Sequence, residues 1–114
     1  MITMDYSACK RKDSLLPGIL GVVILKMVSK GPKHGYAIHE ELKKLLDRDL
    51  PKALIYVTLR RLEEKGLVYS KWEVSQQGPA KRVYYITGEG EKVLGHKIEC
   101  LKRFIALLQK IIEY

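Results

Sequence analysis

The sequence predicts a mainly α fold with one small β-hairpin, followed by a long C-terminal helix. Three observations predict it. Pro51 to Gly66 reads as a single helix carrying Arg60-Arg61. An alternating segment follows, turns at Gly78-Pro79 beside Lys81-Arg82, and alternates again up to Thr87. Behind it, apolar residues recur at spacings of four and three as far as Ile112. A basic helix followed by a basic-tipped hairpin is the outline of a winged helix-turn-helix, and a heptad seam marks a helix that packs against a partner. The expected organisation is an N-terminal arm over residues 1–14, a winged helix-turn-helix over 15–88 and a dimerisation helix over 89–114.

Each element has a local reason. The first helix is expected from about Pro17, a residue tolerated at a helix start, to Ser29, where Gly31-Pro32 stops it. The second is expected from Gly35 to about Asp47, with Ile38, Leu42, Leu45 and Leu46 at helical spacing and Glu40, Glu41, Lys43 and Lys44 toward water. Pro51 opens the third helix, with Asp49 a candidate cap ahead of it, and Gly66 ends it. Ile55, Leu59 and Leu62 share its inward face. Val68 to Val74 then changes period, with Ser70, Trp72 and Val74 on one side and Tyr69, Lys71 and Glu73 on the other. Arg82 to Ile86 reads as the second strand of the hairpin. Trp72 and Tyr84 are expected as core aromatics that fasten the strands to the helices, with stacking on a ligand the alternative for Trp72. Thr87 can cap the last helix, and Glu89 and Glu91 suit its positive end.

Composition narrows the function. A chain of 114 residues with 46% hydrophobic content supports one domain with a modest core. A net charge of +8 favours an anionic partner without naming it. Cys9 and Cys100, far apart in the sequence, do not read as a disulfide framework and suit a reducing cytosol; with His34, His39 and His96 they show no metal-ligand spacing, so neither a metal nor a cofactor is expected. Leu15 to Val28 is too short to span a bilayer and is interrupted by Pro17, Gly18, Gly21 and Lys26. The polar start does not read as a secretory signal, which leaves a soluble, cytoplasmic protein as the expectation. Paired carboxylates, a nucleophile with its base and a phosphate-cradling loop are all missing from the pattern, so an enzyme is not expected.

Three segments in register resemble the PadR-like family of winged-helix transcriptional regulators. They are Gly31-Pro32-Lys33-His34-Gly35-Tyr36; Ile55-Tyr56 with Leu59-Arg60-Arg61-Leu62-Glu63-Glu64-Lys65-Gly66-Leu67-Val68; and Gly78-Pro79-Ala80-Lys81-Arg82-Val83-Tyr84-Tyr85-Ile86-Thr87 with Gly90. The resemblance implies a homodimeric DNA-binding regulator or repressor of the family's short branch, in which one C-terminal helix mediates dimerisation. Two departures stand out. Val57 occupies a position where the family often has proline, and the last helix lacks the tryptophan that some short members stack on planar drugs.

With Ile55, Leu59 and Leu62 inward, the third helix turns Ala53, Val57 and Arg60 outward, flanked by Lys52, Tyr56 and Arg61. Arg60 suits a bidentate contact to guanine and Val57 or Ala53 a thymine methyl, while Lys52, Tyr56 and Arg61 suit phosphates. Lys81 and Arg82 beside the hairpin turn suit the backbone or the minor groove. The plainer reading of all these positions is a solvated charged surface. His34-Gly35 could offer backbone N–H groups to a phosphate or serve as a turn alone, and Lys10-Arg11-Lys12 could form a DNA-embracing arm or a plain tail. In the last helix the seam Leu94, Ile98, Leu101, Ile105, Leu108 and Ile112 is paralleled by a second stripe of Cys100, Phe104, Leu107 and Ile111. One small domain cannot cover both stripes, so homodimerisation through Leu94, Ile98, Leu101, Phe104, Ile105, Leu108 and Ile112 is expected.

The partners so implied are double-stranded DNA with a roughly palindromic operator, a second copy of the chain, and an open place for a small-molecule effector. An RNA-binding module and a winged-helix protein-assembly module are the alternatives, because exposed tyrosines can stack on unpaired bases and a basic surface can meet an acidic protein.

Overall fold

The computed structural model describes residues 15–74 and 77–114. The arm over 1–14, with Cys9 and Lys10-Arg11-Lys12, lies outside the described residues. The element order is α1 (Leu15–Ser29), β1 (Lys33–His34), α2 (Gly35–Leu46), α3 (Lys52–Glu64), β2 (Val68–Glu73), β3 (Lys81–Ile86) and α4 (Gly88–Glu113). The expected fold class is the observed one: four helices, with the hairpin part of a small antiparallel sheet.

Helix α1 is apolar on nearly every face, which places it at the centre of the domain. Leu20, Ile24, Leu25, Met27 and Val28 are all buried, and α3, α4 and β3 pack around the helix. Helix α2 contributes Ile38 and Leu42 to the same core and α3 contributes Ile55, Leu59 and Leu62. Leu45 and Leu46 correct the expected inward face of α2. Both are exposed, because the last turn of the helix runs past the core. Helix α2 ends at Leu46, and Asp47 closes it in the left-handed conformation at φ 53°.

The entry to α3 also differs from expectation. Pro51 holds the cap position, and Asp49 instead pairs with His39 Nε2 at 3.3 Å. That same imidazole nitrogen lies 3.0 Å from the Leu50 carbonyl, so buried His39 fastens the α2–α3 turn. The exit from α3 follows the Schellman pattern. Gly66 N–H donates to Glu63 O at 3.0 Å and Leu67 N–H to Leu62 O at 2.9 Å. Gly66 sits at φ 75°, a conformation that a side chain would strain, and Leu62 and Leu67 meet in the core.

The sheet has the order β1-β3-β2 with both pairings antiparallel. Val68 faces Ile86, Ser70 faces Tyr84 and Trp72 faces Arg82, so these six side chains share one sheet face. Tyr84 is buried, as expected, at 5% exposure. Trp72 is not: 68% of it is open to solvent, because the hairpin outruns the helices that cover its base. Strand β1 was not expected from sequence. It is two residues long and pairs Lys33 with Tyr84 and His34 with Val83.

Thr87 caps α4 as expected. Its Oγ1 accepts from Gly90 N–H at 2.9 Å and donates to Gly66 O at 2.7 Å. At 26 residues, α4 is about 39 Å long at 1.5 Å per residue. Its first turns pack Leu94 into the chain's own core, with Val93 and Ile98 beside it. From Lys102 onward, only Arg103 and Leu107 are even half-buried.

Candidate nucleic-acid interface

The inward residues of α3 orient its outward ones. With Ile55, Thr58, Leu59 and Leu62 buried, Lys52, Ala53, Tyr56, Val57, Arg60 and Arg61 all stand exposed on the opposite side. The six α3 positions read as an outward face are therefore one face. Thr58 returns its hydroxyl to Leu54 O at 2.8 Å, which satisfies the one buried polar side chain of the helix.

Tyr56 combines two roles. Its ring lies against the start of α2 so closely that a Cβ on Gly35 would stand 2.7 Å from both Cε1 and the hydroxyl. Gly35 in the Gly31–Tyr36 segment thus makes room for an α3 side chain. His34, weighed as a phosphate site or a turn residue, acts as the cap of α2, its Nδ1 accepting from Ala37 N–H at 3.3 Å.

The wing is tied to α3 by a polar bridge. Glu63 of α3 accepts from Ser70 Oγ at 2.8 Å through Oε2, and its Oε1 lies 3.5 Å from the Arg82 guanidinium. Arg82 Nε donates to Ser70 Oγ at 2.8 Å, which closes the triangle. The guanidinium also lies over the rings of Trp72 and Tyr84, 6.0 Å and 5.9 Å from their centroids. Both wing cations singled out in the sequence are exposed; Arg82 ties the wing to α3, and Lys81 lies opposite Glu73. Burial pushes the Tyr84 hydroxyl above its ordinary value of 10.0, opposed by Arg82 and reinforced by Glu63 and Tyr56.

The other face of the wing carries a second aromatic pair, of which Tyr69 is exposed. Tyr69 and Tyr85 stack at 5.1 Å, and Lys71 Nζ lies over both rings at 5.8 and 5.5 Å. Tyr85 donates its hydroxyl to Glu73, which raises its pKa. Sequence reasoning missed Glu63 and Ser70 as a pair. The available signal was that an acid on the wing-side flank of α3 must meet whatever packs there.

The expected dimer residues fall into two groups. Leu94 is buried within its own chain and Ile98 packs beside it, while Leu101 is half-buried. Phe104, Ile105, Leu108 and Ile112 are exposed, as is Ile111 of the second stripe. Among the described residues, no helix is long and apolar enough to cross a membrane.

Residues 24–96 match the model of the Transcriptional regulator PadR-like family. Solved structures agree along nearly the whole chain. A candidate transcriptional regulator of Thermoplasma acidophilum is 28% identical, with a TM-score of 0.79 over 90% of this chain and 98% of that one. A PadR-like transcription factor of Bacteroides fragilis is 28% identical, with a TM-score of 0.76 over 85% and 93%. A PadR family transcriptional regulator of Eggerthella lenta is 26% identical, with a TM-score of 0.75 over 86% of each chain. No curated protein matches the chain.

Proposed function

The chain belongs to the PadR-like family of transcriptional regulators, and from that premise we propose that it works in the cytoplasm as a homodimeric, sequence-specific repressor. The observation that carries this reading is the outward face of α3, with Lys52, Arg60 and Arg61, held to the wing through Glu63, Ser70 and Arg82. Such a face enters the major groove, where Arg60 reads guanine and Val57 or Ala53 a thymine methyl. Lys52, Tyr56, Arg61 and Lys81 meet phosphates and supply most of the salt-sensitive affinity. Arg82 contributes by holding the wing.

The exposed half of α4 supports the dimer. Phe104, Ile105, Leu108, Ile111 and Ile112 make an apolar surface that a second copy covers, together with Leu101. Two α3 helices about 34 Å apart then meet successive turns of one duplex, and the operator is an inverted repeat. Bound there, the dimer represses by occupying DNA that the transcription machinery needs. A small-molecule effector would act by changing the separation of the two α3 helices.

Selection of bound sites from random duplex DNA tests this reading. The expected product is an inverted repeat with half-sites about one helical turn apart. Recovery of no enriched sequence, with no salt-dependent duplex binding, refutes it. Preferential binding of single-stranded RNA in direct competition would favour the RNA-binding alternative.

A further inference from the structure

We propose that Trp72 and Val74 form an apolar contact surface for the sugar edge of a DNA minor groove, set among the cations of the wing. The proposal rests on the DNA-binding function above and adds a contact that neither composition nor charge pointed to.

Three observations carry it. The first is exposure: Trp72 is 68% and Val74 89% open to solvent, next to a core that buries neither. A tryptophan offers more apolar surface for burial than any other side chain, so leaving it on a hairpin forgoes a large gain. The second is direction. Trp72 faces Arg82 in the register, one step beyond the Ser70–Tyr84 pair, and Ser70 reaches Glu63 of α3. Trp72 therefore stands on the α3 side of the wing, toward the face that carries Tyr56 and Arg60. On the reverse side of the wing Tyr69 and Tyr85 stack on each other beneath Lys71, so their apolar surface is partly spent within the strand pair. The third is support. The Arg82 guanidinium lies 6.0 Å over the indole and is itself held by Ser70 and Glu63, so the ring is braced before anything binds.

Charge selects the occupant. Arg82 faces Trp72 across the hairpin and Lys81 is exposed beside it, with Glu63 and Glu73 as their acidic neighbours, while Lys52, Arg60 and Arg61 are exposed on α3. A partner must present an anionic backbone and an apolar edge within a few ångströms of each other. Duplex DNA does so in its minor groove, where phosphates flank the deoxyribose rings and proteins commonly insert apolar side chains between cations. An apolar protein surface would match the indole but not the neighbouring cations. The exposed stripe on α4 already provides for a second copy.

Trp72 is the only tryptophan of the chain, so its emission reports on this contact alone. The experiment titrates the full-length protein with a duplex carrying the selected inverted repeat. It records indole emission and acrylamide quenching, with anisotropy of the labelled duplex as an independent measure of binding. The expected result has four parts. The indole is open to quencher in free protein and shielded in the complex. Trp72→Ala weakens binding about tenfold, as truncation of a buried aromatic anchor does. The Trp72→Phe variant recovers most of that loss. The dependence of affinity on salt is unchanged in Trp72→Ala, whereas Lys81→Ala lowers the salt slope by about one.

Duplex binding that leaves the indole as quenchable as before, with Trp72→Ala within about twofold of the parent, overturns the proposal and leaves the DNA-binding function standing. An indole already shielded in the DNA-free protein assigns it to the contact between protomers and overturns the proposal too. Shielding by single-stranded RNA but not by duplex DNA has the same consequence. Failure of the parent protein to bind any duplex removes the underlying function instead, and the proposal falls with it.

Discussion

Gly90 is where α4 leaves the winged domain, and replacing it by alanine tests how tightly that departure is held. A Cβ at this position would stand 2.1 Å from the Leu67 carbonyl oxygen, 3.0 Å from its carbon and 2.8 Å from Ile86 Cγ1. Close carbon–oxygen contacts lie at about 3.3 Å, so the Leu67 peptide or the helix must yield by about 1 Å. The obstacle is backbone that is itself engaged, since Leu67 O accepts from Thr87 N–H at 3.1 Å. Overpacking costs about 1–3 kcal/mol, and an immovable neighbour puts this case at the upper end. Alanine returns about 1 kcal/mol of helix propensity, which leaves a net loss of about 2 kcal/mol. Gly95, in the same helix, has nothing within 4 Å of its Cβ position. The Gly95→Ala variant should therefore gain about 0.5–1 kcal/mol. Urea unfolding followed by circular dichroism, at one fixed protein concentration, measures both changes. A Gly90→Ala variant as stable as its parent refutes the reasoning, as does a Gly95→Ala variant that loses as much.

Further predictions concern binding, assembly and pH. Arg60→Ala should cost about 1–3 kcal/mol in operator binding and relax preference at one base pair, as read by competition between substituted duplexes; a uniform loss across sequences would reassign Arg60 to phosphate. Ile105→Asp places a charge in the exposed stripe of α4, and analytical ultracentrifugation should show dimer converted to monomer with the circular dichroism spectrum kept; an unchanged sedimentation coefficient counts against the α4 interface. Tyr84 holds its proton above 10.0 in the folded state, so its contribution to stability is fully present below that value and is lost as pH rises through the higher folded one. Tyr84→Phe has no proton to lose, and its urea midpoint should fall less steeply than the parent's above pH 10.0; parallel curves would remove Tyr84 as the cause.

The readable parts of the fold are those where local chemistry decides the outcome. Gly66 ends α3 because a left-handed residue is needed there, and Thr87 starts α4 because its hydroxyl can accept from Gly90 N–H. Inward and outward faces of α3 followed from Ile55, Leu59 and Leu62 at helical spacing. The misreadings share one physical origin: periodicity assigns a face but not how far the covering elements extend. Trp72 lies on the same sheet face as buried Tyr84, yet the helices stop short of it. Leu45 and Leu46 continue a buried helix past the edge of the core. Strand β1 has two residues, too few for alternation to register, and it exists because β3 has a free edge beside it. Asp49 reads as a cap because it stands just ahead of Pro51, but the imidazole of His39 in the preceding helix competes for it. Arg82 was readable as a cation at a turn but not as the partner of Glu63, since that pairing spans nineteen residues.

Thr87 gives the molecule a mechanical property. One hydroxyl links the corner after α3, through Gly66, to the first turn of α4, through Gly90. The rod that follows is about 39 Å long, so a tilt of about 5° at this pivot swings its far end by about 3 Å. The linkage works in reverse as well. Any change of angle imposed on the far end of the rod would reach the corner after α3 through this one threonine.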